Sequence, residues 1–97
     1  MDKVHIFEVL KKNLGLLISQ YHVKRIGLFG SYARNEASQT SDVDILVELS
    51  EPISLFEFVN LEDFLSEIIG RKVDLVTESG LKPLIKPHVL EDVVYVQ

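Results

Sequence analysis

The stretch Arg25-Ile26-Gly27-Leu28-Phe29-Gly30-Ser31, followed by Asp42-Val43-Asp44-Ile45-Leu46-Val47-Glu48, decides how this chain folds and what chemistry it can carry. Arg25 to Phe29 reads as a strand that ends at Gly30, where a residue without a Cβ lets the chain turn sharply and approach a ligand closely. Ser31 falls where a helix begins. Such a start leaves backbone N–H groups unpaired and pointing outward, and with a hydroxyl beside them they suit an anionic triphosphate.

The second stretch alternates. Side chains i and i+2 of a strand share a face, roughly 7 Å apart at Cα, so Asp42 and Asp44 can converge on one cation while Val43, Ile45 and Val47 turn toward a core. Two like charges held this close raise a pKa unless a cation compensates them, which implies a divalent metal. A third carboxylate comes from Lys72-Val73-Asp74-Leu75-Val76-Thr77, a β-rich run in which Val73 and Leu75 face inward and Asp74 projects the other way. If this strand lies beside the first aspartate strand, three carboxylates cluster. That number suits two Mg²⁺ ions about 3.5–4 Å apart, with Asp74 as the general base or the residue that positions it. Alone, an Asp-x-Asp in a strand is most often a solvated pair. The order of strand, Gly-Ser turn, helix start, Asp-x-Asp strand and later strand aspartate is what points to metal-dependent phosphoryl transfer.

The rest reads as scaffold. With Asp2 as N-cap, the apolar positions Phe7, Leu10, Leu14, Leu17, Ile18 and Tyr21 predict one helix reaching about Tyr21. Ser54-Leu55-Phe56-Glu57 is a capping-box pattern that opens a second long helix with the stripe Leu55, Phe58, Leu61, Leu65, Ile68 and Ile69, and Gly70 is placed to end it. A crossover of that length makes the two aspartate strands parallel, whereas the shorter link from the first strand permits an antiparallel pair. The fold class is therefore α/β (α+β), a small mixed sheet with helices packed on it. Phe56, Phe58 and Phe64 have helical spacing, which favours core or partner packing over base stacking. His5, His22 and His88 show no ligand spacing, and Lys11, Lys12, Lys24 and Arg25 read as solvated. Pro83 and Pro87 allow short helical pieces starting near each proline. The apolar run from Val89 to Val96 can pack back onto the domain or serve a partner, and the sequence leaves both open.

Composition bounds the class. At 97 residues and 46% hydrophobic, the chain can build one compact core but not two, so a single domain over residues 1–97 is expected. The absence of cysteine excludes disulfides and thiolate metal sites and fits a reducing cytosol. No apolar run approaches a membrane span and Met1-Asp2-Lys3-Val4-His5 has no signal-peptide design, so the expected location is cytoplasmic, with no membrane partner. A net charge of −5 without a basic stripe opposes direct nucleic-acid binding.

Residues 30–37, Gly-Ser-Tyr-Ala-Arg-Asn-Glu-Ala, together with Ser41-Asp42-Val43-Asp44-Ile45-Leu46-Val47, resemble the minimal nucleotidyltransferases (MNT proteins) of the DNA polymerase β superfamily, over almost the whole chain. The resemblance implies the polymerase β-like nucleotidyltransferase fold. It assigns Gly30 and Ser31 to the nucleotide phosphates, Asp42 and Asp44 to the metals and Asp74 to the third acid. Arg34 matches the arginine of the family's Gly-Ser-x-Ala-Arg-Gly pattern and is implied to meet the phosphates; a solvated first-turn arginine is the plainer reading. Asn35 stands where glycine is usual, and asparagine also tolerates a left-handed backbone. By the same resemblance, such proteins are encoded with HEPN-domain ribonuclease toxins and act as antitoxins, in characterised cases by adenylylating a tyrosine of the toxin. A domain that must cradle ATP and two metals has little surface left to enclose an acceptor. The expectation is Mg²⁺-dependent transfer of AMP from ATP to a hydroxyl on a partner protein, within a hetero-oligomer. The alternative from another class is a non-catalytic binding module that neutralises its partner by masking a surface.

Overall fold

The computed structural model describes residues 2–96. In chain order these form α1 (Lys3–Lys12), α2 (Leu14–Tyr21), β1 (Val23–Phe29), the single turn α3 (Gly30–Ala33), β2 (Val43–Leu49), α4 (Leu55–Ile69), β3 (Val73–Thr77), a 3₁₀ turn (Glu78–Gly80), α5 (Lys86–Asp92) and β4 (Val94–Tyr95). β1 and β2 pair antiparallel, and β2 and β3 pair parallel across the α4 crossover. With β4 antiparallel to β1, the sheet order is β3-β2-β1-β4. The mixed sheet expected from the two link lengths is borne out.

Alternation divides the sheet into two unlike faces. Ile26, Leu28, Val43, Ile45, Val47, Val73 and Leu75 are buried against Ile6 and Leu10 of α1, Leu17 of α2, and Leu61, Leu65 and Ile69 of α4. Their neighbours Asp44, Glu48 and Asp74 belong to the opposite face. Two side chains of α4 also finish the outer edge of β3. The Ser66 hydroxyl accepts from the Val73 N–H at 3.1 Å and Glu62 accepts from the Leu75 N–H at 3.0 Å, so the edge strand offers fewer free donors for pairing with another chain.

The caps behave as their residue types dictate. Asp2 accepts from the His5 N–H, Ser54 and Glu57 form the reciprocal capping box, and Gly70 ends α4 in the left-handed region at φ 78°. The single N-terminal helix expected up to Tyr21 is instead broken at Asn13. The Asn13 side-chain amide donates to the Val9 carbonyl at 2.8 Å, and its backbone leaves helical geometry at φ −100°, ψ 5°. Asparagine competes for backbone partners and Gly15 follows it, both weak helix formers. The stripes also need correction at their ends: Ile18 and Leu55 are exposed, whereas Ile6, outside the expected set, is fully buried. Phe58 and Phe64 pack against the core and Phe64 stacks on Tyr21 with centroids 5.0 Å apart, but Phe56 points to solvent.

The C-terminal run packs back. Pro87 lies in the first turn of α5, as proline tolerates, while Pro83 sits in a hydrogen-bonded turn rather than a helix. The isolated Gly27 inside β1 explains how β4 docks. A Cβ at Gly27 would lie 2.7 Å from Val93 Cγ2 and 3.0 Å from the Val94 carbonyl oxygen. Arg25 is exposed, as expected, but it also has partners that the sequence did not announce: it pairs with Glu48 at 3.3 Å and Glu78 at 3.6 Å, and its guanidinium lies 3.8 Å from the Tyr95 ring centroid. Among the described residues no helix is long and apolar enough to cross a membrane.

Replacing Ser54 by alanine removes half of the capping box and is expected to lower stability by about 1 kcal/mol, measured as a lower urea midpoint with an unchanged slope.

Candidate active site

The site is built where β1 ends and β2 begins. Gly30 has φ 72°, a left-handed conformation that lets the chain leave β1 and start α3 at once. Phe29 is the N-cap of α3 and supplies no side-chain cap, so the first N–H groups of the turn are not bonded to a capping side chain. After Ala33 the chain closes in a Schellman arrangement: the Glu36 N–H donates to the Ser31 carbonyl at 2.8 Å and the Asn35 N–H to Tyr32 at 3.2 Å. Asn35 holds the left-handed position at φ 60°. The substitution of asparagine for glycine therefore keeps the turn the resemblance requires.

Asp44 is the centre of the carboxylate row. It lies opposite Phe29 across the antiparallel pair and opposite Asp74 across the parallel one. A Cβ added to Gly30 would fall 2.2 Å from Asp44 Oδ2, so the carboxylate fills the space that the missing side chain leaves. Burial, first, and then the charges of Asp74 and Asp42 push the Asp44 carboxyl up from 3.8 to about 6, while the Arg34 charge pulls it partly back. Asp42 sits one residue ahead of β2, not within it, and stands 3.8 Å from Lys72 Nζ. Asp74 is exposed. Among the described residues no three carboxylate or imidazole groups already close on one point as a metal cage. The three aspartates form an open row, with Asp44 in the middle.

Arg34 ends the α3 turn. Its guanidinium is held by Glu36 at 3.1 Å and by Asp92 at 2.6 Å, which raises its pKa. Asp92 and Gly27 escape a reading by motif because each acts through a partner distant in sequence. An isolated glycine within a strand does signal a close backbone approach, but nothing near Asp92 announces its role. A concavity of about 570 Å³ lies at the other end of β2, lined by Glu48, Glu51, Thr77, Glu78 and Lys86. With Asp42 and Asp74 exposed and Asp44 half-buried, the aspartate row faces solvent.

A glycine-hinged helix start facing strand carboxylates on a mixed sheet defines a nucleotidyltransferase. The chain belongs to the nucleotidyltransferase domain family, whose model matches residues 7–96. A Methanocaldococcus jannaschii homologue named as a protein adenylyltransferase is 46% identical over 92 residues, covering 94% of each chain. The protein adenylyltransferase MntA of Thermococcus cleftensis is 50% identical over 80 residues, covering 82% of this chain and 81% of its own. The solved structure of a minimal nucleotidyltransferase superposes with a TM-score of 0.80 at 32% identity, over 97% of this chain and 95% of that one.

At lower identity the likeness is one of fold. It extends to a toxin–antitoxin complex with AMP-PNP, at TM-score 0.72 and 22% identity over 100% of this chain and 73% of that one. It extends also to an MNT antitoxin in complex with a tri-AMPylated Shewanella oneidensis HEPN toxin, at TM-score 0.68 and 19% identity over 94% and 71%. The expected family and fold class are borne out.

Two outcomes follow from the Gly30–Asp44 contact. Gly30→Ala places a side chain at a left-handed position and against the carboxylate; a loss of about 1–2 kcal/mol is expected in chemical denaturation. Between 3.8 and about 6 the folded metal-free protein retains a proton at Asp44 that the unfolded chain has released. Stability therefore falls as pH rises through that window. Urea titrations at successive pH values should show this fall in the native chain and a shallower one in Asp44→Asn.

Proposed function

We propose that the chain is a Mg²⁺-dependent protein adenylyltransferase that moves AMP from ATP to a hydroxyl, by preference a tyrosine, of a HEPN-type ribonuclease toxin, and so acts as its antitoxin. The observation that carries the chemistry is the Asp44 carboxylate pressed against Gly30, with Asp74 in register beside it. The substrate and partner are supported by the adenylyltransferase names of the relatives and by the complexes that share the fold. A cytosolic setting agrees with the lack of cysteine.

The donor set fits a hard cation. Asp42, Asp44 and Asp74 offer only carboxylate oxygens, and the upward shift at Asp44 comes from burial first and then from the charges of Asp74 and Asp42, which a divalent ion would compensate. These three residues would hold Mg²⁺, whose contribution when bound is neutralisation of the triphosphate and of the departing pyrophosphate. The Gly30-Ser31 turn would receive the phosphates on its outward N–H groups. The acceptor oxygen attacks the α-phosphorus, the bond from that phosphorus to the β-bridging oxygen breaks, and pyrophosphate leaves with the electron pair. The proton of the acceptor hydroxyl passes to Asp74, which is exposed and in register beside Asp44. Alignment and charge neutralisation supply the rate. The openness of the row suits an acceptor that arrives on the surface of another protein.

A masking module remains the competing reading, and the exposed Leu55 and Phe56, at 77% and 84%, favour some contact surface. One experiment separates the two. The protein, its co-encoded toxin, Mg²⁺ and ATP labelled at the α-phosphate are incubated together. Label is expected on the toxin, with transfer reduced at least about 100-fold in Asp44→Asn, in step with loss of neutralisation. Neutralisation that persists undiminished in a folded Asp44→Asn, without label, would establish masking instead.

A further inference from the structure

Arg34 is held from outside its own turn. Its Nε donates to Glu36 Oε2 at 3.1 Å, and its Nη1 donates to Asp92 Oδ2 at 2.6 Å, from the last residue of α5. Charge-assisted contacts of this length fix a guanidinium in direction as well as position. Of its five N–H donors, those on Nη2 and the second on Nη1 are not engaged by these two carboxylates among the described residues.

The residue that does the holding is itself fixed. The Val93 N–H donates to the Val89 carbonyl at 3.0 Å and the Val96 N–H to the Ile26 carbonyl at 2.8 Å. Val94 and Tyr95 pair with Leu28 and Gly27. Val93 fills the space beside Gly27 that a Cβ would take. The C-terminal segment is therefore clamped onto β1, the strand whose end is the Gly30 turn, and Asp92 is carried into place by that clamp. Arg34 caps the four-residue turn that opens at Gly30 against the Asp44 carboxylate, so the guanidinium belongs to the same turn as the carboxylate contact.

We propose that Asp92 is a positioning residue: fixed by the docking of β4 in the Gly27 notch, it aims the Arg34 guanidinium at the phosphate tail received by the Gly30-Ser31 turn. The C-terminal segment is then part of the nucleotide site. This rests on the nucleotide-binding role proposed for that turn.

The test is the affinity of the full chain for AMP-PNP with Mg²⁺, by calorimetry, alongside thermal melting. Asp92→Asn is expected to raise Kd roughly 3- to 10-fold, Asp92→Glu to recover most of the loss, and Glu91→Gln, its exposed neighbour, to bind as the native chain does. Because Asp92 acts only through Arg34, the double variant Arg34→Ala/Asp92→Asn should bind no worse than Arg34→Ala alone. An unchanged or lowered Kd in Asp92→Asn, or losses that simply add, would overturn the proposal. Should Asp92→Asn fail to fold, Arg34→Lys reads the same geometry, since one ammonium cannot serve two carboxylates and a phosphate from a plane; a native Kd there also overturns it. If AMP-PNP does not bind the native chain at all, the nucleotide reading itself fails. If it binds and only the Asp92 variants are silent, the fault lies with the positioning role.

Discussion

The Asp44 carboxylate occupies the volume that a side chain at Gly30 would need, and the rest of the site is arranged around that contact. It requires the left-handed backbone at Gly30, which only a residue without a Cβ adopts at no cost, and it requires the register that sets Phe29 opposite Asp44. The same register in the parallel pair brings Asp74 alongside. Partial burial of Asp44 beside the charges of Asp74 and Asp42 costs the ligand-free fold stability, a cost that the buried face must offset. Strain of this kind at a functional site is the usual sign that the arrangement serves binding or chemistry and not folding.

The opposite face of the sheet makes that arrangement sustainable. Val43, Ile45 and Val47 are fully buried under α1, α2 and α4, so β2 cannot slip by one residue without exposing its core side chains and burying Asp44. Register and the placing of the carboxylates are thereby the same constraint. On the aspartate side, the C-terminal segment adds the second layer of control. The notch at Gly27 admits β4, and β4 carries Asp92 to Arg34.

Much of this was legible in the sequence because it rests on local rules. Strand alternation placed Val43, Ile45 and Val47 inward, and the capping box at Ser54 and the glycine at 70 bounded α4. The Gly-Ser pair announced the turn after β1, and asparagine's tolerance of a left-handed backbone allowed the turn at residue 35. What escaped depends either on a fine local balance or on partners far apart in the chain. The break at Asn13 turns on a weak balance between helix propagation and a side-chain hydrogen bond, and the Arg25–Glu78 and Arg34–Asp92 pairs join residues with no common periodicity. The placing of β4 was left open because an apolar run of that length satisfies either a sheet edge or a partner.

The most direct test of the central claim is a crystal structure of the protein with Mg²⁺ and AMP-PNP. The triphosphate should lie on the Gly30-Ser31 turn with cation density between it and the carboxylates of Asp42, Asp44 and Asp74. Nucleotide bound elsewhere, for example in the concavity beside Glu48 and Lys86, with the three aspartates bare, would contradict it.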